Sequence, residues 1–213
     1  MEKFTVLTGV AAPIPMPNIS TDLIAPSHFP GKKPEEAVAM SFKDKLFANL
    51  RFFPDGTPKT DFVLAEPRYQ GARILLTGEN FGCGSSRETA VWSLQEAGIA
   101  CVIAPSFGDI FHDNSFQNGL LPLRVPAEDI ARLTQGLART NASELTVDLE
   151  MRELRVSGME PVAFDLPDNR RLPLMEGLDQ LSFMLRSAEE IGAYEARAAT
   201  ERPWVFASAG GVA

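Results

Sequence analysis

The sequence predicts an α/β fold on a mixed sheet, and three observations lead there. Short apolar runs at Ile74 to Leu76, Ile99 to Ala104 and Leu120 to Val125 have the length and composition of buried strands. Helical patterns alternate with these runs, as in a sheet built from strand–helix–strand units. Further on, apolar and polar residues alternate on both sides of Glu150-Met151-Arg152-Glu153, which reads as a hairpin and adds antiparallel pairing.

Taken in order, Thr5 to Val10 reads as a first strand, followed by a turn punctuated by Pro13, Pro15 and Pro17. Asn18 to Asp22 form a polar loop, with Asp22 suited to a turn beside Thr21, and Leu23-Ile24-Ala25 restart an apolar run. Residues 27–60 are irregular, broken by Pro30, Gly31, Pro34, Pro54, Gly56 and Pro58, with one or two short helices expected within Glu35 to Leu50. Long segments of this kind inside a compact domain are usually functional or mobile. His28 reads there as an exposed loop histidine.

The strand at Ile74 to Leu76 leads into a loop holding Gly78, Gly82 and Gly84. A helix is expected over Arg87 to Ala97, with Ala90, Val91, Leu94 and Ala97 on its buried face and Gly98 as its stop. Ser85 with Glu88 has the spacing of a capping box. Pro105 to Asn118 reads as a polar, aromatic-rich connector in which His112 is a hydrogen-bonded structural histidine. Ala127 to Leu137 is a helix carrying Ile130, Leu133 and Leu137, and Thr146 to Leu149 with Leu154 to Val156 make the hairpin. Met175 to Ala199 is largely helical, with Leu178, Leu181, Leu185 and Ile191 as an apolar stripe. Residues 1–200 read as a single domain and residues 201–213 as a poorly ordered tail.

Composition removes several function classes. Twenty basic against 28 acidic residues give a net charge of −8, and no Lys- or Arg-rich block is present, which argues against nucleic acid as a partner. Any small anionic substrate must then be drawn by a local site. Cys83 and Cys101 are too few for a disulfide framework, and an iron–sulfur cluster needs three or four thiolates. Cys101 lies in an apolar strand and reads as a small hydrophobe, whereas Cys83, in the glycine loop, would be acidified near a helix N-terminus. No secretory pattern opens the chain and no apolar run approaches the ~20 residues of a membrane span. A cytosolic protein is expected.

The stretch from Ile74 to Thr89 concentrates the chemistry. Strand, glycine turn and helix N-terminus leave backbone N–H groups directed at one spot, where an anion is favoured. Arg87 adds a planar fork suited to a carboxylate or phosphate. The established phosphate fingerprints do not fit: Gly82-x-Gly84 lacks the third glycine of a dinucleotide loop and no Gly-Lys-Ser/Thr follows.

Asn80-Phe81-Gly82-Cys83-Gly84-Ser85-Ser86-Arg87-Glu88 resembles the signature of the mobile small domain in the aconitase superfamily, in the form found in small subunits of 3-isopropylmalate dehydratase. Phe4 to Pro13, Asn18 to Asp22, Val102 to Phe111 and Asn118 to Pro122 resemble further segments of that family in order and spacing, so the likeness runs from about residue 4 to about residue 197. It implies a swivelling β/β/α domain that closes over an active site held elsewhere. By the same resemblance Ser85 is the proton-abstracting base, while Arg87, Ser86, Asp22 and Thr21 contact a small dicarboxylate. The cofactor is a [4Fe–4S] cluster on a separate large subunit, with none bound by this chain. Three departures leave the substrate open between isopropylmalate and another substituted malate of the methylmalate or citraconate type: Ser20 in place of an aspartate, Thr89-Ala90-Val91 in place of His-Ala-Pro, and the 27–33 loop. An anion-binding module without catalysis, or a subunit that only completes a partner's fold, are the readings from other classes.

Overall fold

A single strand, β1 (Val6–Ile14), divides a seven-stranded sheet into two halves. Over Ala11 to Ile14 it pairs in parallel with β2 (Ile74–Thr77), and beyond β2 lie β3 (Cys101–Ala104) and β4 (Leu121–Arg124), also parallel. Over Val6 to Val10 it pairs antiparallel with β5 (Glu144–Asp148), followed by β6 (Glu153–Arg155) and β7 (Val162–Ala163). The structure is a computed structural model that describes residues 2–84, 87–140 and 143–206.

The expected first strand is therefore longer than its proline signal suggested. The β1–β5 register ends at Val10 opposite Glu144, and the last backbone bond on that side is Ala11 N–H to the Ser143 carbonyl at 2.8 Å. Pro13 is two residues on and faces the same side, where no neighbouring strand remains. Its missing N–H costs no ladder bond, so the strand runs through it.

Alternation along the parallel strands feeds two cores. On one face Leu7, Ala11, Ile74, Leu76, Cys101 and Ile103 meet Ile130, Leu133 and Leu137 of α7 (Ala127–Ala138). On the other, Ala12, Leu75, Val102 and Ala104 meet Val91 and Leu94 of α5 (Thr89–Glu96) and Phe111 of α6 (Asp109–Asn118). All four residues of β3 are fully buried, as expected of a strand covered on both faces. The sheet thus keeps the predicted α/β mixed architecture.

Several elements differ from expectation. The segment 105–118 is not a connector throughout: its second part is α6, which buries Phe111, Ser115 and Phe116 and stops at Gly119 in the left-handed region. Polar residues between those buried positions hid the stripe. The helix after the glycine loop starts at Thr89, two residues late, and Glu88 occupies the cap position itself with no side-chain cap bond. Glu88 accepts from Asn118 Nδ2 at 3.3 Å, and the Ser85 half of the expected capping box lies outside the described residues. Short helices α2 (Pro34–Val38), α3 (Phe42–Lys45) and α4 (Ala48–Arg51) lie in the segment 27–60, one more than the one or two expected, and α1 (Thr21–Ile24) takes up the end of the expected polar loop.

Met175 to Ala199 is not one helix. α8 (Asp168–Glu176) carries Pro173 and ends on Gly177 at positive φ, closing a first unit of Met1–Gly177. The second unit, Leu178–Ala213, holds α9 (Gln180–Met184), a single 3₁₀ turn, α10 (Ala188–Glu201) and α11 (Pro203–Phe206). Asp179 caps α9 by accepting from Ser182 N–H at 2.7 Å. The predicted apolar stripe is exposed at Leu181, Leu185 and Ile191. Residues 207–213, most of the expected tail, lie outside the described residues.

The hairpin of β5 and β6 turns on Asp148. Its Oδ1 accepts from Glu150 N–H at 3.0 Å and Met151 N–H at 2.9 Å, and its Oδ2 accepts from Arg155 at 2.8 Å. The Met151 amide above all, with Arg155, holds the carboxyl below the ordinary aspartate range. A depressed folded pKa means the stabilisation is complete above the unfolded value and is lost as pH falls through the folded one. Asp148→Ala should therefore cost about 2 kcal/mol at pH 7. In denaturant titrations the gap between parent and variant should shrink below about pH 4; a gap independent of pH would show that the carboxylate charge is not what holds the turn.

Candidate active site

The site is assembled from loops at the C-terminal ends of β1, β2 and β3, the edge where open α/β sheets place their ligands. The glycine loop after β2 is threaded between the other two. Toward the β1 loop, Asn18 N–H donates to the Glu79 carbonyl at 2.8 Å, Gly82 N–H to Ile19 at 2.7 Å, and Thr21 N–H to Cys83 at 2.9 Å. Toward the β3 loop, Phe81 N–H donates to the Ser106 carbonyl at 3.1 Å and Gly108 N–H to Phe81 at 2.9 Å. Asn80 N–H reaches the Ser106 hydroxyl at 2.8 Å.

Side chains under the loop explain its glycines. Phe81 is fully buried, with its ring edge-on to Phe111 at 5.3 Å between centroids. A Cβ on Gly82 would overlap the Phe111 ring, and the residue also holds positive φ, so only glycine lets the loop lie this close.

Each predicted site residue can now be placed. Ser20, the residue that departs from the family's aspartate, is the N-cap of α1 and accepts from Leu23 N–H at 3.2 Å. Serine and aspartate cap about equally well, so this departure keeps the local fold. Thr21 follows with its side chain buried, its hydroxyl facing Gly84. Asp22, in the first turn of α1, accepts from Arg87 NH2 at 2.9 Å, and both side chains are more than half exposed. The two loops thus bring Thr21, Asp22 and Arg87 together. Ser85 and Ser86 lie outside the described residues, between Gly84 and Arg87 in the chain.

Thr89-Ala90-Val91 opens α5, and Ala90 and Val91 are fully buried in the core. That part of the departure answers to packing, not to substrate. His28 is exposed, as expected. His112 is structural, but its contacts are aromatic: it packs at 5.6 Å from Phe107 and 5.1 Å from Phe116, measured between ring centroids. Burial, then the neighbouring Arg124, pushes its pKa down to about 4, so it is neutral at neutral pH.

The thiols do not suit a cluster on this chain. Cys101 is completely buried in β3, where burial drives its thiol far upward, and Cys83 sits half-buried on the loop. Among the described residues no three His, Cys, Asp or Glu side chains gather in a metal-binding group. Nor, among them, is any helix long and apolar enough to cross a membrane. The residues missed in the sequence are Asn18, Asn80 and Ser106, which brace the three loops. The available signal was asparagine at turn positions, the residue that after glycine best tolerates positive φ.

The family model for the aconitase C-terminal domain matches residues 1–128, and that for the C-terminal domain of the 3-isopropylmalate dehydratase small subunit matches residues 185–208. The 3-isopropylmalate dehydratase small subunit of Brucella anthropi is 46% identical over 204 residues, covering 96% of this chain and 100% of the relative. That of Brucella canis is 45% identical over the same span. In three dimensions, the crystal structure of 3-isopropylmalate dehydratase from Methanocaldococcus jannaschii aligns with a TM-score of 0.60 at 20% identity, covering 90% of this chain and 99% of the other. With such identity across nearly its whole length, the chain belongs to the family of 3-isopropylmalate dehydratase small subunits, built on the aconitase C-terminal domain fold.

Proposed function

We propose that this chain works as the small subunit of a 3-isopropylmalate dehydratase, a hydro-lyase of leucine biosynthesis in the cytoplasm. Together with a large subunit it would complete the site that converts 2-isopropylmalate into 3-isopropylmalate. The observation that carries this reading is the braced three-loop edge holding Thr21, Asp22 and Arg87, in a chain 46% identical to a named member of the family.

The reaction removes a proton from one carbon and hydroxide from its neighbour, giving an unsaturated dicarboxylate, then returns water with the two positions exchanged. In this reading the Ser85 oxyanion takes the carbon-bound proton and later returns one. A serine hydroxyl is a weak base unaided, so loop amides and the Arg87 guanidinium must stabilise its anion. Arg87 also clamps a substrate carboxylate. Asp22 holds that guanidinium in position until the carboxylate arrives. As an exposed ion pair it is worth only about 0–1 kcal/mol, so a dicarboxylate can displace it. Thr21 and Ser86 add hydroxyls around the bound acid. By the family resemblance, a [4Fe–4S] cluster on the large subunit would supply the Lewis acid for the departing hydroxyl.

Of the departures that opened other substituted malates, Ser20 falls on a helix cap and Val91 on core packing. Thr89, half-buried at the start of α5, and the 27–33 loop, where Phe29 packs with Ala37 and Ala48 in a small cluster of its own, still leave such a substrate open.

Three measurements test the reading. Anaerobic reconstitution of this chain alone with iron and sulfide should give no cluster absorbance, whereas the complex with the large subunit should show it. A stoichiometric cluster on this chain would overturn the division of labour. In the complex, Arg87→Lys should lose about 2 kcal/mol in kcat/KM, roughly 30-fold, because an ammonium cannot make the bidentate contact; near-parent kinetics would remove Arg87 from the site. Ser85→Ala should lower kcat by roughly a thousandfold or more with KM little changed. Ser85→Asp should be equally slow. Recovery of turnover in the aspartate variant would count against the base.

A further inference from the structure

We propose that the side-chain amides of Asn18 and Asn80 form a positioning clasp, which sets the Thr21–Asp22 turn against the glycine loop in the register that turnover needs. The proposal rests on the site reading above and adds two residues to it.

Asn80 Nδ2 donates to Asn18 Oδ1 at 2.7 Å, across the gap between the β1 and β2 loops. Both residues hold the left-handed conformation, with φ of 57° for Asn18 and 58° for Asn80. Each is also fixed through its backbone: Asn18 N–H by the Glu79 carbonyl at 2.8 Å, and Asn80 N–H by the Ser106 hydroxyl at 2.8 Å. The amide bond therefore sits at the mouth of the inter-loop ladder, ahead of the Gly82–Ile19 and Thr21–Cys83 bonds that carry the site residues.

Conformation alone does not explain these residues. Glycine adopts positive φ without steric cost, and this chain uses it for that purpose at Gly82 and Gly84 on the same loop. A single amide–amide bond open to water contributes little net stability. What two facing asparagines add over two glycines is a fixed distance and orientation between the loops. The site's charged groups are divided between those loops, Asp22 on one and Arg87 on the other. Small misplacements of reacting groups are costly in rate even when binding survives.

Asn18→Gly and Asn80→Gly keep the backbone conformation and remove the clasp. In the complex with the large subunit and 2-isopropylmalate, each should lower kcat by ~10- to 100-fold while KM moves less than about threefold. Thermal midpoints should stay within about 3 °C of the parent. The double variant should be no more than about threefold slower than the slower single one, because both remove the same bond. Asn18→Asp retains the accepting oxygen and tolerates the same φ, so its kcat should return close to the parent's, with its added charge read in KM.

A second readout does not use activity. On the full chain, alkylation of Cys83 by iodoacetamide reports the loop, because Cys101 is completely buried. Its rate should rise several-fold in both glycine variants and stay at the parent level in Asn18→Asp. Parent-like kcat in the glycine variants, multiplicative losses in the double variant, unchanged Cys83 labelling, or an Asn18→Asp as slow as Asn18→Gly would each overturn the clasp. Full turnover in Ser85→Ala and Arg87→Lys would instead unseat the site reading, and the clasp would then stand or fall on coupling and labelling alone.

Discussion

The site depends on main-chain hydrogen bonds more than on any side chain. The glycine loop leaves β2 and is paired on both sides, to the β1 loop through Ile19 and Thr21 and to the β3 loop through Ser106 and Gly108. Backbone pairing of this kind gives a loop the rigidity of a short strand, and functional groups are placed most accurately on such elements. It also explains the demand for glycine at position 82, where the chain passes directly over the Phe111 ring. The loop is fixed from below by Phe81 and Phe107 packed on Phe111, and from the sides by its neighbours. These contacts hold Phe81, Gly82 and Cys83.

That arrangement is possible because the parallel half of the sheet brings three strand ends to one edge. Helices α5 and α6 cover one face and α7 the other, so β2 and β3 are buried along their length and the loops beyond their C-termini carry the polar residues. The antiparallel half has a different task. The β5–β6 hairpin, closed by Asp148, supplies a wall for the core that α7 packs against and contributes none of the site residues. Chemistry and scaffolding are thus divided at β1, and the same division separates the loop-borne polar residues from those that only pack.

Much of this was legible in the sequence. The strands β2 to β4, helix α7 and the hairpin followed from apolar runs and periodicity, and the glycine loop stood out as the turn between β2 and α5. What was not legible had physical causes. Pro13 suggested a turn because the absence of a neighbouring strand on its N–H side cannot be seen along the chain. α6 was hidden because it buries aromatic residues at irregular spacing among polar ones. β7 is only two residues long, and α8 carries an internal proline. The pairing of Asp22 with Arg87 joins loops far apart in the chain and has no local signature. Family resemblance supplied the roles of the site residues. The structure gave a local reason for two apparent departures: Ser20 caps a helix as an aspartate would, and Val91 fills the core.

The mixed character of β1 has a consequence for how the protein is made. The strand is synthesised long before its antiparallel partner, which begins at Glu144. At translation rates of ~5–20 residues per second, that partner arrives on the order of ten seconds later. Through that interval β2, β3 and β4 can pair with one another and with the Ala11 to Ile14 part of β1, while Val6 to Val10 present an open strand edge. Such edges recruit other strands readily. The nascent chain is therefore most open to mispairing after its parallel half is complete and before the hairpin has emerged, and a chaperone that shields the N-terminal strand would matter most in that window.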